Sequence, residues 1–433
     1  MNQIKASLLR VKYLSRLSEL FGSAFQSSSE RLNSCQITEE PDLYKIGGFH
    51  RVSLGDTFDS GKYAVLRKLG YGQYSTVWLA RDSKEQRYVA LKMLRADCYG
   101  GHHDIFEREI LSSEISGNSN HEGRHYVSHL LDGFQHEGPN GKHVCFVFDV
   151  LGHHLDFQSA KYEDGKLPVK AVKVIARQLL LGLDFLHREC GIIHTDLKPT
   201  NILLELQSPD EAISRYLSEV PPRTGHHVGA AVPLREVITT PLLSEMNEPH
   251  LRIIDFGVAS WRDNRLSDLV QSPALRAPEV TIGAPWNGAV DIWSLGCLIV
   301  EFVQGLVLFS GEASRNGTWT ADDDRLARII EILGPFPLQL LKRGKRTTNF
   351  FGEKVYLIPN AAGLQEIFFE FRTLKPTSLE RLINGTTKPF LKPTDMPDAE
   401  VPIFIDFLRG MLAIDPERRK SAADLLQHGW INL

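Results

Sequence analysis

Cysteine is scarce and scattered in this chain. There are five among 433 residues (Cys35, Cys98, Cys145, Cys190 and Cys297), an odd number with no C-x-x-C spacing. Neither a disulfide framework nor a zinc site is suggested, and a reducing compartment, cytoplasmic or nuclear, is the expected home. Long apolar runs are missing too. The most apolar stretch, residues 292–309, is interrupted by Glu301 and Gln304, so it reads as a helix buried in protein and not as a membrane span. Nor is charge of one sign in excess. The 49 Lys and Arg against 53 Asp and Glu leave a net charge of −4, which gives no general attraction to nucleic acid or to an anionic membrane. No repeat at a fixed period and no long low-complexity tract is visible.

What is present is ordinary globular composition, 42% hydrophobic and 24% charged, with length enough for a large core and for two lobes or domains. At the start, Ile4, Leu8, Val11, Leu14 and Leu17 recur at helical spacing beside Lys5, Arg10, Lys12 and Arg16. That is the pattern of a mitochondrial transit peptide, and a surface helix or a disordered extension gives it equally. Residues 22–42, rich in Ser and Glu, read as a linker, so that residues 1–44 form an N-terminal extension. From Lys62 the chain turns to short alternating runs, KYAVLRKL, STVWLARD and RYVALKML, the mark of consecutive antiparallel strands, with a helix from about Asp104. Beyond Val169, VKAVKVIARQLLLGLDFLH carries apolar residues three and four apart and predicts a helix ending before Gly191. Strand-rich sequence thus precedes helix-rich sequence, an α+β order. Residues 206–249 interrupt it: Pro221, Pro222, Gly225, Gly229, Pro233, Pro241 and Pro249 are scattered through polar sequence without periodicity. They read as an insertion that bulges outward as a mobile loop or carries a partner site.

Four motifs carry chemistry. LGYGQYSTVWLA sets Gly70 and Gly72 between two predicted strands, with Ser75 at the third position of a G-x-G-x-x-G pattern. Phosphoryl transfer needs backbone N–H groups close to phosphate oxygens, and glycine permits that approach because it lacks a Cβ; a two-glycine hairpin turn leaves the same trace. In VALK, one strand on, period-two geometry puts Ala90 and Lys92 on one face, where the lysine either reaches nucleotide phosphates or faces water. Glu109 in FEREIL, on the following predicted helix, is placed to hold that lysine. The most specific motif is IIHTDLKPTNILL, residues 192–204. Asp196 suits acceptance of a proton from an attacking hydroxyl, Lys198 neutralisation of a transferring phosphoryl group, and Asn201 coordination of Mg²⁺. Finally, LRIIDFGVAS delivers Asp255 from an apolar strand to a turn closed by Gly257, a place for Mg²⁺, and ALRAPE (residues 274–279) follows in an order that random tripeptides lack.

With these motifs in this order the chain resembles a eukaryotic protein kinase over about residues 44–431. The resemblance implies an α+β bilobal kinase domain over residues 45–433. Its small antiparallel-sheet N-lobe, about 45–150, would carry one main helix, its larger C-lobe, about 151–433, would be mainly helical, and ATP with Mg²⁺ would lie between them. By that likeness Leu69, Gly70, Gly72 and Lys92 belong to the nucleotide site. Val77 and Ala90 cover the adenine from one side and Leu203 from the other, Phe148 borders the back of the pocket, and Val150 and Leu151 form the hinge. Asp291 in DIWSLG braces the catalytic loop, Glu279 pairs with Arg419, and Lys198, two residues after Asp196, is similar to serine/threonine kinases.

Finer detail resembles the SR-protein kinase branch. HVCFVFDVLGHHL, GLDFLHRECGIIHTDLKP, TLKPTSLERLI and GGFHRVSLGDTF are close to it, as are the insertion and Thr195, where most kinases carry Arg. The branch phosphorylates serines in Arg/Ser-rich proteins of RNA processing, so protein substrates of that kind are the partners implied, with a monomer as the default state. Without an arginine beside Asp196 no guanidinium waits for a phosphorylated activation loop, and activity is expected without loop phosphorylation, Ser272 being the residue open to modification there. Two positions depart from the pattern. Leu306 follows Gly305 where the branch docks arginines with an acid, leaving Glu312 and the run Asp322, Asp323, Asp324 as other sources of negative charge. Ser113 stands where kinases bury an apolar residue. Two other readings stay open, a pseudokinase scaffold that binds nucleotide or partners without transfer, and a kinase-fold enzyme acting on a small molecule. The six residues Lys92, Glu109, Asp196, Lys198, Asn201 and Asp255 argue against the first, ALRAPEV against the second.

Overall fold

The computed structural model describes residues 38–99, 105–115, 119–227, 230–240, 246, 248–351, 358–359, 365–366 and 377–432. The transit-peptide pattern of residues 1–20, Asp104 and the side chain of Ser113 lie outside the described residues. The chain divides into two compact units. A sheet-rich one takes in the residues up to Ser116 with Ser128–Lys161 and Leu203–Leu242, and a helical one takes in Gly117–Val127, Tyr162–Ile202 and the chain from Leu243 on. This is the α+β, two-lobed order expected.

In the small unit the alternating runs become strands of one antiparallel sheet: β1 (Thr57–Phe58), β2 (Tyr63–Tyr71), β3 (Ser75–Asp82), β4 (Arg87–Leu94), β5 (Asp132–Gly138) and β6 (Gly141–Phe148), in the order β1-β2-β3-β4-β6-β5. Successive side chains point to opposite faces, so β3 and β4 feed two cores. One gathers Tyr63, Val65, Trp78, Ala80, Val89, Leu91, Met93, Cys145 and Val147. The other gathers Leu79, Ala90 and Val150, with Leu66, Leu69, Val77 and Phe148 at its margin.

That second face needs a cover, and the insertion supplies it. Residues 206–249, read above as lacking periodicity, contain a helix, Pro209–Glu219, and a hairpin of Thr224–His227 with Ala230–Pro233. Ile213, Tyr216 and Leu217 stand three and four apart on that helix and pack with Leu206 and Ile238 against the second core. Only three apolar positions carry the helical period, and the prolines around them hide it. Pro209 itself falls in the first turn, where its missing N–H costs nothing. Burying Ile213 completely contributes about 1.5–3 kcal/mol. The insertion also extends the sheet, since Arg235 bridges Lys68 in parallel and the Glu236 N–H donates to the Lys68 carbonyl at 2.7 Å.

The end of the supposed linker is built in as well. Glu39 is buried and ion-paired with the ammonium of Lys68, both side chains fully out of solvent, and it accepts the Tyr44 hydroxyl. Burial pulls the Lys68 ammonium below its ordinary value against the opposing pull of Glu39.

In the large unit, the helix Val169–Asp184 runs into a wide turn over Phe185–Glu189 and stops before Gly191, as its pattern predicts. The apolar stretch after residue 289 forms the helix Ala289–Gln304, buried nearly all round. It ends at Gly305 with φ 68°, where a Cβ would come within 2.0 Å of the Asp164 carbonyl, so glycine is required there by both conformation and space. Among the described residues no helix is long and apolar enough to cross a membrane.

Candidate active site

The small unit holds the nucleotide-type motif residues. Gly70 and Gly72 sit at the β2–β3 turn, closed by the Gly72 N–H donating to the Ser75 carbonyl at 2.8 Å. A Cβ at either glycine would meet nothing within 4 Å, so packing does not demand glycine; the open backbone is what a phosphate group needs. Behind the turn, Leu69, Val77, Ala90, Phe148 and Val150 share one apolar cluster, with Leu79 paired to Ala90 and Ala90 to Phe148 across the strands. Leu151 is half-buried just after Val150, and half-buried Leu203 bridges to His154.

Lys92, on β4, is buried, and its Nζ lies 2.6 Å from Oε1 of Glu107. Glu109, the residue expected to hold Lys92, accepts the Tyr99 hydroxyl on its Oε2 at 3.3 Å. The reason is local geometry. The α-turn spans only Glu107–Glu109 and widens at once into a π turn, Ile110–Ile115, and residues two apart on a helix face opposite ways. FEREIL offers both glutamates, and nothing in its spacing selects between them.

The large unit brings Asp196, Lys198 and Asn201 together on one loop. Oδ2 of Asp196 accepts from Lys198 Nζ at 2.5 Å and from Asn201 Nδ2 at 3.2 Å, and Oδ1 accepts the Ser272 hydroxyl at 2.9 Å. Asn201 donates again to the Asp196 carbonyl at 3.0 Å, which leaves its own oxygen for another partner. Asp255 is exposed with φ 68°, presenting its carboxylate at the end of the strand Leu251–Ile253. One amide oxygen and one carboxylate suit Mg²⁺, which takes few protein ligands and completes its shell with phosphate oxygens and water. Among the described residues no group of three acidic, His or Cys side chains forms a closed metal cage, and such a cage is not what a phosphate-bridged Mg²⁺ uses.

Asp291 anchors this loop from the first turn of the helix Ala289–Gln304. It accepts the N–H groups of His194 and Thr195 at 2.8 and 2.9 Å and the His187 ring at 2.8 Å. Burial would push its carboxyl up, but His187 and the backbone donors outweigh that and hold it below the ordinary value.

A family model described as protein kinase domain matches residues 63–431. The chain belongs to this family. Its function is that of a serine/threonine protein kinase acting on protein substrates, and the family implies ATP as phosphoryl donor. The kinase is 32% identical to "Serine/threonine-protein kinase SRPK" of Physarum polycephalum, with 91% of each chain covered. It is 30% identical to "Protein kinase dsk1" of Schizosaccharomyces pombe, over 91% of this chain and 85% of the relative. To "SRSF protein kinase 3" of Homo sapiens it is 26% identical, over 91% and 90%.

Thr195, and two residues of the kinase that sequence reasoning passed over, Gln271 and Arg276, hold the segment after Asp255. The Thr195 hydroxyl donates to the Val258 carbonyl at 2.7 Å. Gln271 is buried with φ 68°; the two hydrogens of its Nε2 are shared among Leu275 O, Val290 O and Ser294 Oγ at 3.1, 2.9 and 2.7 Å, and its Oε1 accepts the Ala277 N–H. Arg276 donates to the carbonyls of Val270 and Gln271, each at 3.0 Å. The expected pair of Glu279 and Arg419 is present, bidentate at 2.8 and 3.0 Å and wholly buried. Gln271 carried no motif signal, because its role depends on a left-handed backbone that only the folded loop reveals.

Proposed function

We propose that the kinase transfers the γ-phosphoryl group of ATP to serines in Arg/Ser-rich protein segments. The observation that carries the chemistry is the Asp196 carboxylate, which already accepts a serine hydroxyl from Ser272 while Lys198 and Asn201 share its other oxygen. In this reading Asp196 takes the proton of the substrate hydroxyl, and Lys198 neutralises charge that develops on the phosphoryl group. Lys92, held by Glu107, binds the nucleotide phosphates, with the open backbone at Gly70 and Gly72 beside them. Leu69, Val77, Ala90, Phe148, Val150, Leu151 and Leu203 line the adenine. Asn201 and Asp255 hold Mg²⁺, which when bound neutralises phosphate oxygens.

The substrate class rests on the names of the relatives and on the branch-like motifs. Leu306 is half-buried and offers no acid to an arginine. In the acidic run, Asp322 pairs with Arg325 at 2.5 Å, Asp324 with Arg328 at 3.0 Å, and Asp323 completes a capping box with Thr320. Much of that charge is therefore engaged in starting a helix, and exposed Glu312 is left as the nearer candidate for arginine docking.

Held by Thr195, Gln271 and Arg276, the segment from Asp255 to Glu279 requires no phosphate to stay in place. Transfer of labelled phosphate to Arg/Ser-repeat peptides, in preference to mixed serine peptides, is expected, with no change after phosphatase treatment. Transfer to the mixed pool alone would discard the Arg/Ser specificity, and loss of activity on dephosphorylation would discard the phosphate-free loop.

A further inference from the structure

Lys161 closes the small unit's central segment, just past the short helix Leu155–Ser159, in a cluster that the kinase reaction does not use. Its Nζ lies 3.0 Å from Gln158 Oε1, 3.0 Å from His153 Nε2 and 3.5 Å from the carbonyl of Thr240, and 5.5 Å from the centre of the Phe157 ring. Among the described residues no carboxylate is paired with it. An ammonium has three hydrogens to give and no lone pair, so each neighbour of a charged Lys161 must be an acceptor.

His153 cannot be one. The backbone N–H of Thr240 can only donate, and it points at His153 Nδ1 at 3.1 Å, so Nδ1 carries the lone pair and Nε2 carries the hydrogen. That hydrogen goes to Gln158 Oε1 at 2.6 Å. A charged Lys161 would then set N–H donors against the Nε2 donor at 3.0 Å. An uncharged amine relieves this, because it can turn its lone pair and not an N–H toward Nε2 while its two hydrogens serve Gln158 and Thr240.

We propose that Lys161 is a nucleophilic amine, uncharged in the native protein far more often than an ordinary lysine, and is a modification site for thioester acyl donors. In the reaction the Nζ lone pair attacks the thioester carbonyl carbon, the C–S bond breaks, and the departing thiolate takes up the proton that nitrogen loses, giving an amide and a free thiol. Burial supports the assignment by pushing the Lys161 amine down to about 8 and the His153 ring down to about 4, its largest cause again burial with Lys161 second. Lys161 is half-buried, so a reagent can reach it. Relative to an ordinary lysine, such an amine is uncharged at neutral pH roughly 300 times more often. The inference stands apart from the proposed substrate class.

The test uses the full-length protein and trace acetic anhydride across pH 6–11, with labelling read residue by residue by mass spectrometry and exposed Lys84 as reference. Each lysine's own pH profile cancels differences in access. Lys161 is expected to reach half its plateau near pH 8, more than a unit below Lys84, and to react with acetyl-coenzyme A at pH 7.4 at least ten-fold faster than Lys84. In Gln158→Glu, which gives the amine a carboxylate, the half-point should rise by more than a unit. A Lys161 profile that follows Lys84, or no labelling of Lys161 at any pH, would overturn the proposal.

Discussion

The Asp196 loop of the large unit and the sheet of the small unit hold their charges in different ways. In the large unit Asp196 finds Lys198 and Asn201 on its own short loop, and Asp291 and Ser272 complete the loop's bonding from further along the chain. In the small unit the buried cations draw their partners from elsewhere in the chain, Lys92 from Glu107 and Lys68 from Glu39. A loop that satisfies itself announces its chemistry in sequence. A lysine that waits for a distant or ambiguous carboxylate does not.

The comparison can be broken first in the large unit. Arg419→Ala leaves Glu279 charged and wholly buried, with an expected loss of about 3–5 kcal/mol in stability. Chemical denaturation should show a lower midpoint, and a change below about 1 kcal/mol would mean that the pair is not desolvated as described.

In the small unit, Glu107→Ala strands buried Lys92 and should cost about 3 kcal/mol as well as most of the transfer activity. Glu109→Ala gives up a hydrogen bond to a partly exposed tyrosine and should cost about 1 kcal/mol or less. Thermal melts and steady-state rates of the two variants, side by side, sharpen the contrast; the reverse ranking would restore Glu109 as the partner of Lys92.

A smaller effect follows from three imidazoles in the small unit. His136 and His143 face each other across β5 and β6, and the His50 ring lies 4.5 Å and 5.2 Å from theirs. Burial first, and then mutual repulsion, pushes His50 from 6.5 to about 4, with Asp56 opposing; burial also lowers His136 and His143. The unfolded chain therefore binds more protons in this window, so the contribution is complete above about pH 6.5 and is lost as pH falls toward 4. The melting temperature of the wild type should fall over that interval more steeply than that of His50→Phe; parallel curves would remove the triad from the account.

Legibility followed the same division. The strands β2 to β4 and the helix Val169–Asp184 were carried by periodicity, because each buries a face, whereas the helix Ala289–Gln304, buried nearly all round, was carried by its apolar run. The loop of Asp196, Lys198 and Asn201 was legible because its polar residues are contiguous. The helix Pro209–Glu219 was not, since it presents only three apolar side chains between prolines and its stability comes from docking on the sheet. Glu39 was not, because nothing local distinguishes a carboxylate destined for a buried lysine from one in a linker. Thr195 marked itself as an exception, whereas its bond to Val258 became visible only in the fold.

The most direct test of the account is transfer of labelled γ-phosphate from Mg·ATP to a serine-peptide pool by the full-length protein and by its Asp196→Asn variant, with nucleotide binding measured in both. The account predicts transfer by the wild type and a fall of about 10²–10⁴-fold in the variant at unchanged nucleotide affinity. A wild type that binds nucleotide but transfers nothing, or a variant as active as the wild type, would contradict it.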